Sequence, residues 1–358
     1  MATIEKMQGF VYDQPATRVI FGVGTLERLA EEVKRLGAKR ALVLATPEQR
    51  KDAEAASQRL GEMSAGVYAE AVMHVPIETA RKAREEAARL DADCYVAVGG
   101  GSTVGLGKAI ALESGLPILA VPTTYAGSEM TPIYGITEAG VKKTGKDRKV
   151  LPKTVIYDVN LTLSLPVKIA GPSGMNAMAH LVEGLYAQDA NPIISLLAVE
   201  GIRTLAVSLP LVVKEPQNLV ARSGALYGAW LGGTVLGAVG MALHHKLCHT
   251  LGGSFNLPHA EVHTVILPYA TAYNQQAAAQ ELNRAAEALG AKSAAQGIYD
   301  LSVKIGAPVA LKDIGMPFDG LDRAAEIATQ NPYYNPRPVD YAGVRQLLED
   351  AYYGKRPA

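Results

Sequence analysis

The 358-residue chain carries seven histidines, and six of them fall between positions 180 and 263: His180, His244, His245, His249, His259 and His263. Asn176 and His180 are four residues apart in a helix-like stretch, as are His245 and His249, and residues at that spacing share a helix face. His259 follows Pro258 at the start of a further helix, after Gly252-Gly253. This pattern can turn several imidazoles toward one point. Three chemistries are open to it: a divalent metal site, a metal-free cluster that anchors substrate and moves protons, or a set of structural histidines. The neighbouring Asn176 is a neutral, weak ligand. Imidazoles without a carboxylate hold a divalent ion less well than a set that supplies negative charge, which weighs against a metal.

A second constellation is Gly99-Gly100-Gly101-Ser102, between the strand-like Tyr95–Val98 and a helix start. Glycines let backbone approach an anion, and a helix start offers unpaired N–H groups and a positive dipole end. A pyrophosphate suits such a turn, although the spacing is not G-x-G-x-x-G. A glycine-rich turn without a ligand is the plainer alternative, but three adjacent glycines cost chain entropy for no packing return. The next strand, Pro117–Val121, ends in Pro122-Thr123-Thr124, followed by Tyr125-Ala126-Gly127-Ser128-Glu129. Hydroxyls at a neighbouring strand end would line the same crevice, because ligands of open α/β sheets sit outside the carboxyl ends of the strands.

The elements that must carry these groups change character along the chain. Up to about residue 162, short apolar strands such as Ala41–Ala45 and Thr154–Asp158 alternate with helices, which predicts a parallel sheet covered on both faces. Beyond it, helical periods dominate, including Ser173–Gln188, Pro192–Val207, Leu219–Val239, His244–Leu251 and Glu261–Gln275. The expected fold is an α/β dinucleotide-binding domain over 1–162 followed by an all-α substrate and catalytic domain over 163–358. About two domains, each around its own core, also suit the length. The 48% apolar and 20% charged composition excludes a disordered chain. Lys plus Arg and Asp plus Glu are both 35, so nothing favours nucleic acid or an anionic membrane surface. Two cysteines, Cys94 and Cys248, imply no disulfide framework and fit a reducing cytoplasm. Met1–Val11 does not read as a signal peptide. The longest apolar stretch, Ala225–Leu243, is broken by glycines and reads as buried helix, not as a membrane span.

Taken in order, these motifs resemble the iron-containing alcohol dehydrogenase family over nearly the whole length, and within it the maleylacetate-reducing branch. The resemblance rests on the glycine turn, Pro122-Thr123-Thr124 with Gly127-Ser128-Glu129, and Gly174 through His180. It continues through His245 to His249 with Gly252-Gly253 and Pro258-His259, and ends in Asn331 through Pro338. It implies a nicotinamide-binding α/β domain, a helical domain and a homodimer. Metal-dependent members place an aspartate and three histidines around iron or zinc. The matching positions here are Asn176, His180, His245 and His259. Gly105 stands where alcohol-oxidising members commonly have aspartate. Both departures look like the branch regarded as metal-free.

By the resemblance, Gly99, Gly100, Gly101 and Ser102 hold the cofactor pyrophosphate, Thr123, Thr124 and Ser128 line the nicotinamide half, and Lys149 lies near the ribose. The implied reaction reduces the carbon–carbon double bond of maleylacetate to 3-oxoadipate, in aromatic-compound degradation. Hydride adds at the carbon beta to the ketone, and an enolate forms. His180, His245 and His259 would steady the enolate oxygen, with Asn176 beside them, and His249 would deliver the proton. The substrate's two carboxylates would meet the histidine cluster, Lys246, Asn176 and Arg337, unless Arg337 is an interface or tail salt bridge; Tyr333 and Tyr334 would close the cleft or merely pack. NADH is the expected donor; NADPH is the alternative, because Thr46-Pro47 after the Ala41–Ala45 strand places no carboxylate directly at its end to grip a ribose 2′-OH, and Arg50 and Lys51 follow. Rival readings are a metal-dependent alcohol or polyol dehydrogenase, a lyase like dehydroquinate synthase, and a nucleotide-binding module without catalysis.

Overall fold

The computed structural model describes residues 10, 12–13, 16–138 and 141–358, so the reading of Met1–Val11 lies almost wholly outside the described residues. Strands β1 (Arg18–Gly22), β2 (Ala41–Leu44), β3 (Ser64–Tyr68), β4 (Cys94–Gly99) and β5 (Ile118–Pro122) belong to one sheet with a later strand, Thr154–Asp158. That strand is β8, because a separate antiparallel hairpin intervenes, β6 (Ile133–Glu138) with β7 (Val141–Lys146). The main sheet runs β1-β8-β5-β4-β2-β3, and every pairing is parallel. Residues of β2, β4, β5 and β8 are buried throughout, as continuous apolar runs require when helices cover both faces. Helices α1 (Leu29–Arg35), α2 (Arg50–Leu60), α3 (Ile77–Arg89) and α4 (Gly101–Ser114) supply that cover.

The β6–β7 hairpin was not expected. Its lysine-rich second strand reads as a solvated loop, because only one of its residues, Val141, is a strong apolar strand former. The strand expected at Val67–Val72 is displaced to Ser64–Tyr68, where it pairs with β2.

From Val167 onward the described elements are helices: α5 (Val167–Leu185), α6 (Pro192–Lys214), α7 (Leu219–Ala238), α8 (Leu243–Phe255) and α9 (His259–Asn274), followed by α10 (Ala279–Leu289), α11 (Ala294–Lys304), α12 (Leu321–Thr329) and α13 (Tyr341–Tyr353). Helix α5 starts six residues before the expected Ser173 and continues through Pro172. Side-chain caps set several starts: Asn191 accepts from Ile194 N–H at 3.1 Å, and Asn218 from Ala221 N–H at 3.0 Å. Helices α5, α6 and α7 approach closely because glycines sit at their crossings. A Cβ at Gly232 would lie 2.9 Å from the Ala177 carbonyl oxygen.

Burial divides into three apolar clusters, not two cores. One covers the outer face of the sheet and one joins α8, α9, α12 and α13. The third runs without a break from the sheet into α5–α7, across the expected boundary at 162/163. Phe21, Tyr157 and Trp230 stack within that junction, with centroids 6.1–6.2 Å apart. Among the described residues, α6 is long and apolar enough to cross a membrane, and it packs against α5, α7 and α10. The Ala225–Leu243 stretch is not one helix, since α7 ends at Ala238 and α8 leaves it at a 96° bend.

Candidate active site

Parallel pairing brings the ligand-type groups of the sheet to one edge. Gly99 sits opposite Pro122, and Thr123 N–H donates to the Gly99 carbonyl at 3.1 Å. Gln49, just past the end of β2, donates from Nε2 to Thr123 Oγ1 at 2.6 Å. Gly99 has φ +155°, and a Cβ there would collide with the Thr103 hydroxyl and lie 2.7 Å from Gln49 Oε1. A Cβ at Gly100 would lie 2.9 Å from Thr124 Cγ2. Two of the three glycines therefore have a packing reason within the protein, which corrects the entropy argument made from sequence. Gly101 alone is exposed, with Ala126 Cβ at 3.8 Å as its nearest neighbour.

Helix α4 begins beside this turn with no side-chain cap, and the buried Thr103 hydroxyl in its first turn has no partner. An uncapped helix start, an open glycine and an orphaned hydroxyl fit a pyrophosphate. Gly105 faces Val75, whose Cγ2 would lie 2.9 Å from a Cβ at 105. Val75 holds φ +46°, which is strained for a β-branched residue. Its side chain thus fills the space that an aspartate at 105 would need. Ser128 opens a short turn after Gly127. Lys149 is exposed, on a turn, Arg148–Val150, that packs against α4.

The helical half brings the imidazoles together. His180 on α5, His245 on α8 and His263 on α9 surround one point, with centroids 5.2 Å (180–245), 5.0 Å (245–263) and 6.4 Å (180–263) apart. His259 lies 4.3 Å from His263, and His244 lies 4.9 Å from it. His180, His244, His245 and His263 are buried, whereas His249 and His259 are exposed. Asn176 is buried one turn before His180 and donates to the Ala126 carbonyl at 3.5 Å. Asn176 Oδ1, His180 Nδ1, His245 Nε2 and both ring nitrogens of His263 are buried without a protein partner.

Glu183, three residues after His180 on α5, organises this nest. Its carboxylate accepts from the N–H groups of Ala242 (2.9 Å), His244 (2.8 Å) and His245 (3.4 Å), and from His245 Nδ1–H at 2.7 Å. It thereby caps the start of α8 and fixes the His245 tautomer. With the proton on Nδ1, neutral His245 presents a lone pair at Nε2, so its role differs from the donor role expected for all three imidazoles. Burial pushes Glu183 up and pulls His180, His245 and His263 well below the usual imidazole value. Burial likewise brings His244 down to about 3. At neutral pH these four rings are neutral hydrogen-bonding groups.

The mouth of the nest is a separate group. His249 Nδ1 meets Tyr333 Oη at 3.0 Å, and Lys246 Nζ lies 5.8 Å from the Tyr333 ring centroid. Tyr334 is exposed. The Arg337 guanidinium stacks 3.9 Å above Tyr273 and donates to its carbonyl at 3.4 Å, so it braces α9 where a carboxylate partner was expected. Asn335 exchanges hydrogen bonds with Asn274 at 2.9 and 2.7 Å and pins the same segment.

Glu183 and Gln49 were not singled out from sequence as site residues, and His263 entered only as one of the six clustered histidines. Asn176, His180 and Glu183 share one face of α5, and His259 and His263 are four apart, so helical spacing carried a signal for two of them. Nothing in sequence marked Gln49.

The unpartnered atoms of Asn176, His180, His245 and His263 offer a metal ion neutral donors. Donor atoms of His244, His245 and His263 lie within 4.8 Å of one another, but both His244 nitrogens are occupied, by the His263 carbonyl and by His245. Glu183, the carboxylate within the cluster, spends its oxygens on backbone N–H groups and on Nδ1 of His245. Among the described residues of the nest, no carboxylate is left free to neutralise a buried divalent charge.

A parallel α/β half followed by an all-helical half defines a class of oxidoreductase. The chain belongs to the iron-containing alcohol dehydrogenase family: "Iron-containing alcohol dehydrogenase" matches residues 16–159, and "Fe-containing alcohol dehydrogenase family, C-terminal" matches 171–352. It is 59% identical to a maleylacetate reductase of Burkholderia cepacia over 98% of this chain and all of that one. The crystal structure of maleylacetate reductase from Rhizobium sp. strain MTP-10005 superposes with TM-score 0.95 at 55% identity, covering 98% of this chain and 100% of that one. A putative alcohol dehydrogenase from Ralstonia eutropha JMP134 superposes with TM-score 0.97 at 61% identity and the same coverage.

Proposed function

We propose that this chain reduces the carbon–carbon double bond of maleylacetate to 3-oxoadipate with NADH, with NADPH as an alternative donor, and without a resident metal. The observation that carries the reading is 59% identity over 98% of the chain to a maleylacetate reductase. Neutral Asn176 within the imidazole nest supports the metal-free form. The sheet half, 1–162, binds the dinucleotide and the helical half, 163–358, holds the substrate.

Bound nicotinamide supplies the hydride. Gly101 and the start of α4 hold the pyrophosphate, and Thr123, Thr124 and Ser128 orient the nicotinamide end. Hydride arrives at the alkene carbon beta to the ketone, and negative charge moves to the ketone oxygen. His180 donates a hydrogen bond to that oxygen, beside Asn176, whose Nδ2 is held by the Ala126 carbonyl. His245 Nε2 accepts from a protonated group, so it orients the bound molecule and does not steady the oxyanion. His249, exposed at the mouth and bonded to Tyr333, delivers a proton to the carbon alpha to the ketone. One hydride and one proton are thus added across the double bond. The neutral nest leaves Lys246 as the cation for a substrate carboxylate.

One observation favours a metal-dependent alcohol dehydrogenase: the Glu183–His245 pair resembles the carboxylate–histidine pairs behind zinc ligands. Loss of nicotinamide absorbance with maleylacetate, set against simple alcohols with the oxidised nucleotide, separates the two readings. The cytoplasmic homodimer remains part of the proposal, and sedimentation of the purified protein checks its stoichiometry.

A further inference from the structure

Lys108 lies on α4, two turns beyond the glycine turn, and is fully buried. Its Nζ donates to the carbonyls of Ser128 (2.7 Å), Thr131 (2.8 Å) and Ile133 (2.7 Å) and to Thr131 Oγ1 (3.0 Å). These oxygens form a cage around one ammonium, closed by the turn that follows Gly127. Glu129 in the same turn is buried and accepts from Tyr157 Oη at 2.8 Å. Burial pulls Lys108 down to about 7, an effect that Glu129 opposes. An apolar side chain of equal length would leave the carbonyls of Ser128, Thr131 and Ile133 without this donor, so the ammonium and not chain packing holds the turn.

The far side of the turn shows what the cage positions. Gly127 holds φ +85°, and a Cβ there would lie 3.0 Å from Gly233 Cα and 3.5 Å from His180 Nδ1. Gly237 abuts the Met130 carbonyl, with only 2.5 Å left for a Cβ. The turn is therefore wedged between α7 and His180 on one side and tied by one cation to the helix of the glycine turn on the other.

We propose that Lys108 is a positioning residue for hydride transfer, a tethered cation that sets the wall carrying Ser128 and backing His180 relative to the cofactor-phosphate helix. The proposal rests on the nicotinamide reading above. Misplacement of reacting atoms by about 1 Å costs up to about a hundredfold in rate. In Lys108→Met, NADH affinity stays within about twofold of wild type, because the glycine turn is intact, while kcat falls at least about tenfold. The kinetic isotope effect with NADH deuterated at the transferred position rises. In Lys108→Ala, added n-propylammonium recovers part of the lost rate and sodium does not. Thr131→Val removes one acceptor and moves kcat and the isotope effect the same way by less, so it serves if the lysine variants fail to fold.

The emission of bound NADH reports nicotinamide surroundings without turnover. It shifts in Lys108→Met even if the wild type proves inactive on maleylacetate, which keeps the two proposals separable. Lys108→Met with wild-type kcat, isotope effect and emission overturns the proposal. Loss of nucleotide affinity, rate and thermal stability together also overturns it, since that marks a general packing role. For a lysine variant that does not fold, Thr131→Val with unchanged kcat and isotope effect does the same.

Discussion

The two sides of the candidate site are built on opposite principles. On the sheet side, the groups aimed at a ligand are backbone N–H groups, an open glycine and hydroxyls, placed by parallel register between β4 and β5. On the helical side they are titratable rings from three separate helices, placed by packing and by one carboxylate. The first design tolerates almost no added volume at Gly99 and Gly100, and its ligand-facing backbone and hydroxyl groups do not titrate near neutral pH. The second tolerates modest reshaping at its mouth but depends on Glu183 and on the charge state of its rings.

The largest effect expected on the helical side comes from Glu183→Ala. It orphans three backbone N–H groups and releases the His245 tautomer, and breaking a buried hydrogen-bonded pair costs about 3–5 kcal/mol. Denaturant unfolding should show that loss, with turnover falling as well; a variant as stable as wild type would break the assignment of Glu183 as organiser of the nest. On the sheet side, Gly99→Val places volume against Thr103 and Gln49 at a φ that L-residues disfavour, at about 1–3 kcal/mol of strain. Stability should fall by about that strain, and NADH affinity, measured by fluorescence titration on the folded variant, should drop about tenfold or more. A folded variant with wild-type NADH affinity would mean the turn is merely structural.

The two halves were not equally readable from the sequence. Runs such as Ala41–Leu44 and Cys94–Gly99 announce buried parallel strands, and Asn176 and His180 announce a shared helix face. The β6–β7 hairpin stayed hidden because its polar second strand lacks the apolar period that marks a buried one. The roles of Glu183 and Gln49 stayed hidden because each acts through a contact distant in sequence, with His245 62 residues away and with Thr123 74 residues away. Arg337 reads in sequence as a fork for a carboxylate, of substrate or of a salt bridge, and only packing shows it stacked on Tyr273.

A smaller effect separates the halves by pH. His180, His244, His245 and His263 are bases whose folded pKa values are lowered. As pH falls through about 6.5, the unfolded chain takes protons that the folded rings refuse, so stability is lost with acid. Each such group contributes a slope of up to about 1.4 kcal/mol per pH unit. Glu129 and Glu183, carboxyls raised by burial, pull the other way, so the net proton uptake on unfolding lies below four. Chemical melts between neutral and mildly acidic pH give that slope, and a flat profile would show that the rings are not buried as neutral bases. The smallest effect is Tyr333→Phe at the mouth. Removing one partly exposed hydroxyl costs about 0.5–1.5 kcal/mol. A rate change within about tenfold follows, concentrated on the basic limb of the kcat profile if His249 delivers the proton.

The central claim, hydride transfer to maleylacetate in a nest that needs no metal, is tested most directly by one assay. Protein dialysed against chelator, with its metal content measured on the same sample, is given NADH and maleylacetate. The account predicts full turnover with metal far below one equivalent. Activity lost with the metal and restored by added iron or zinc would contradict it.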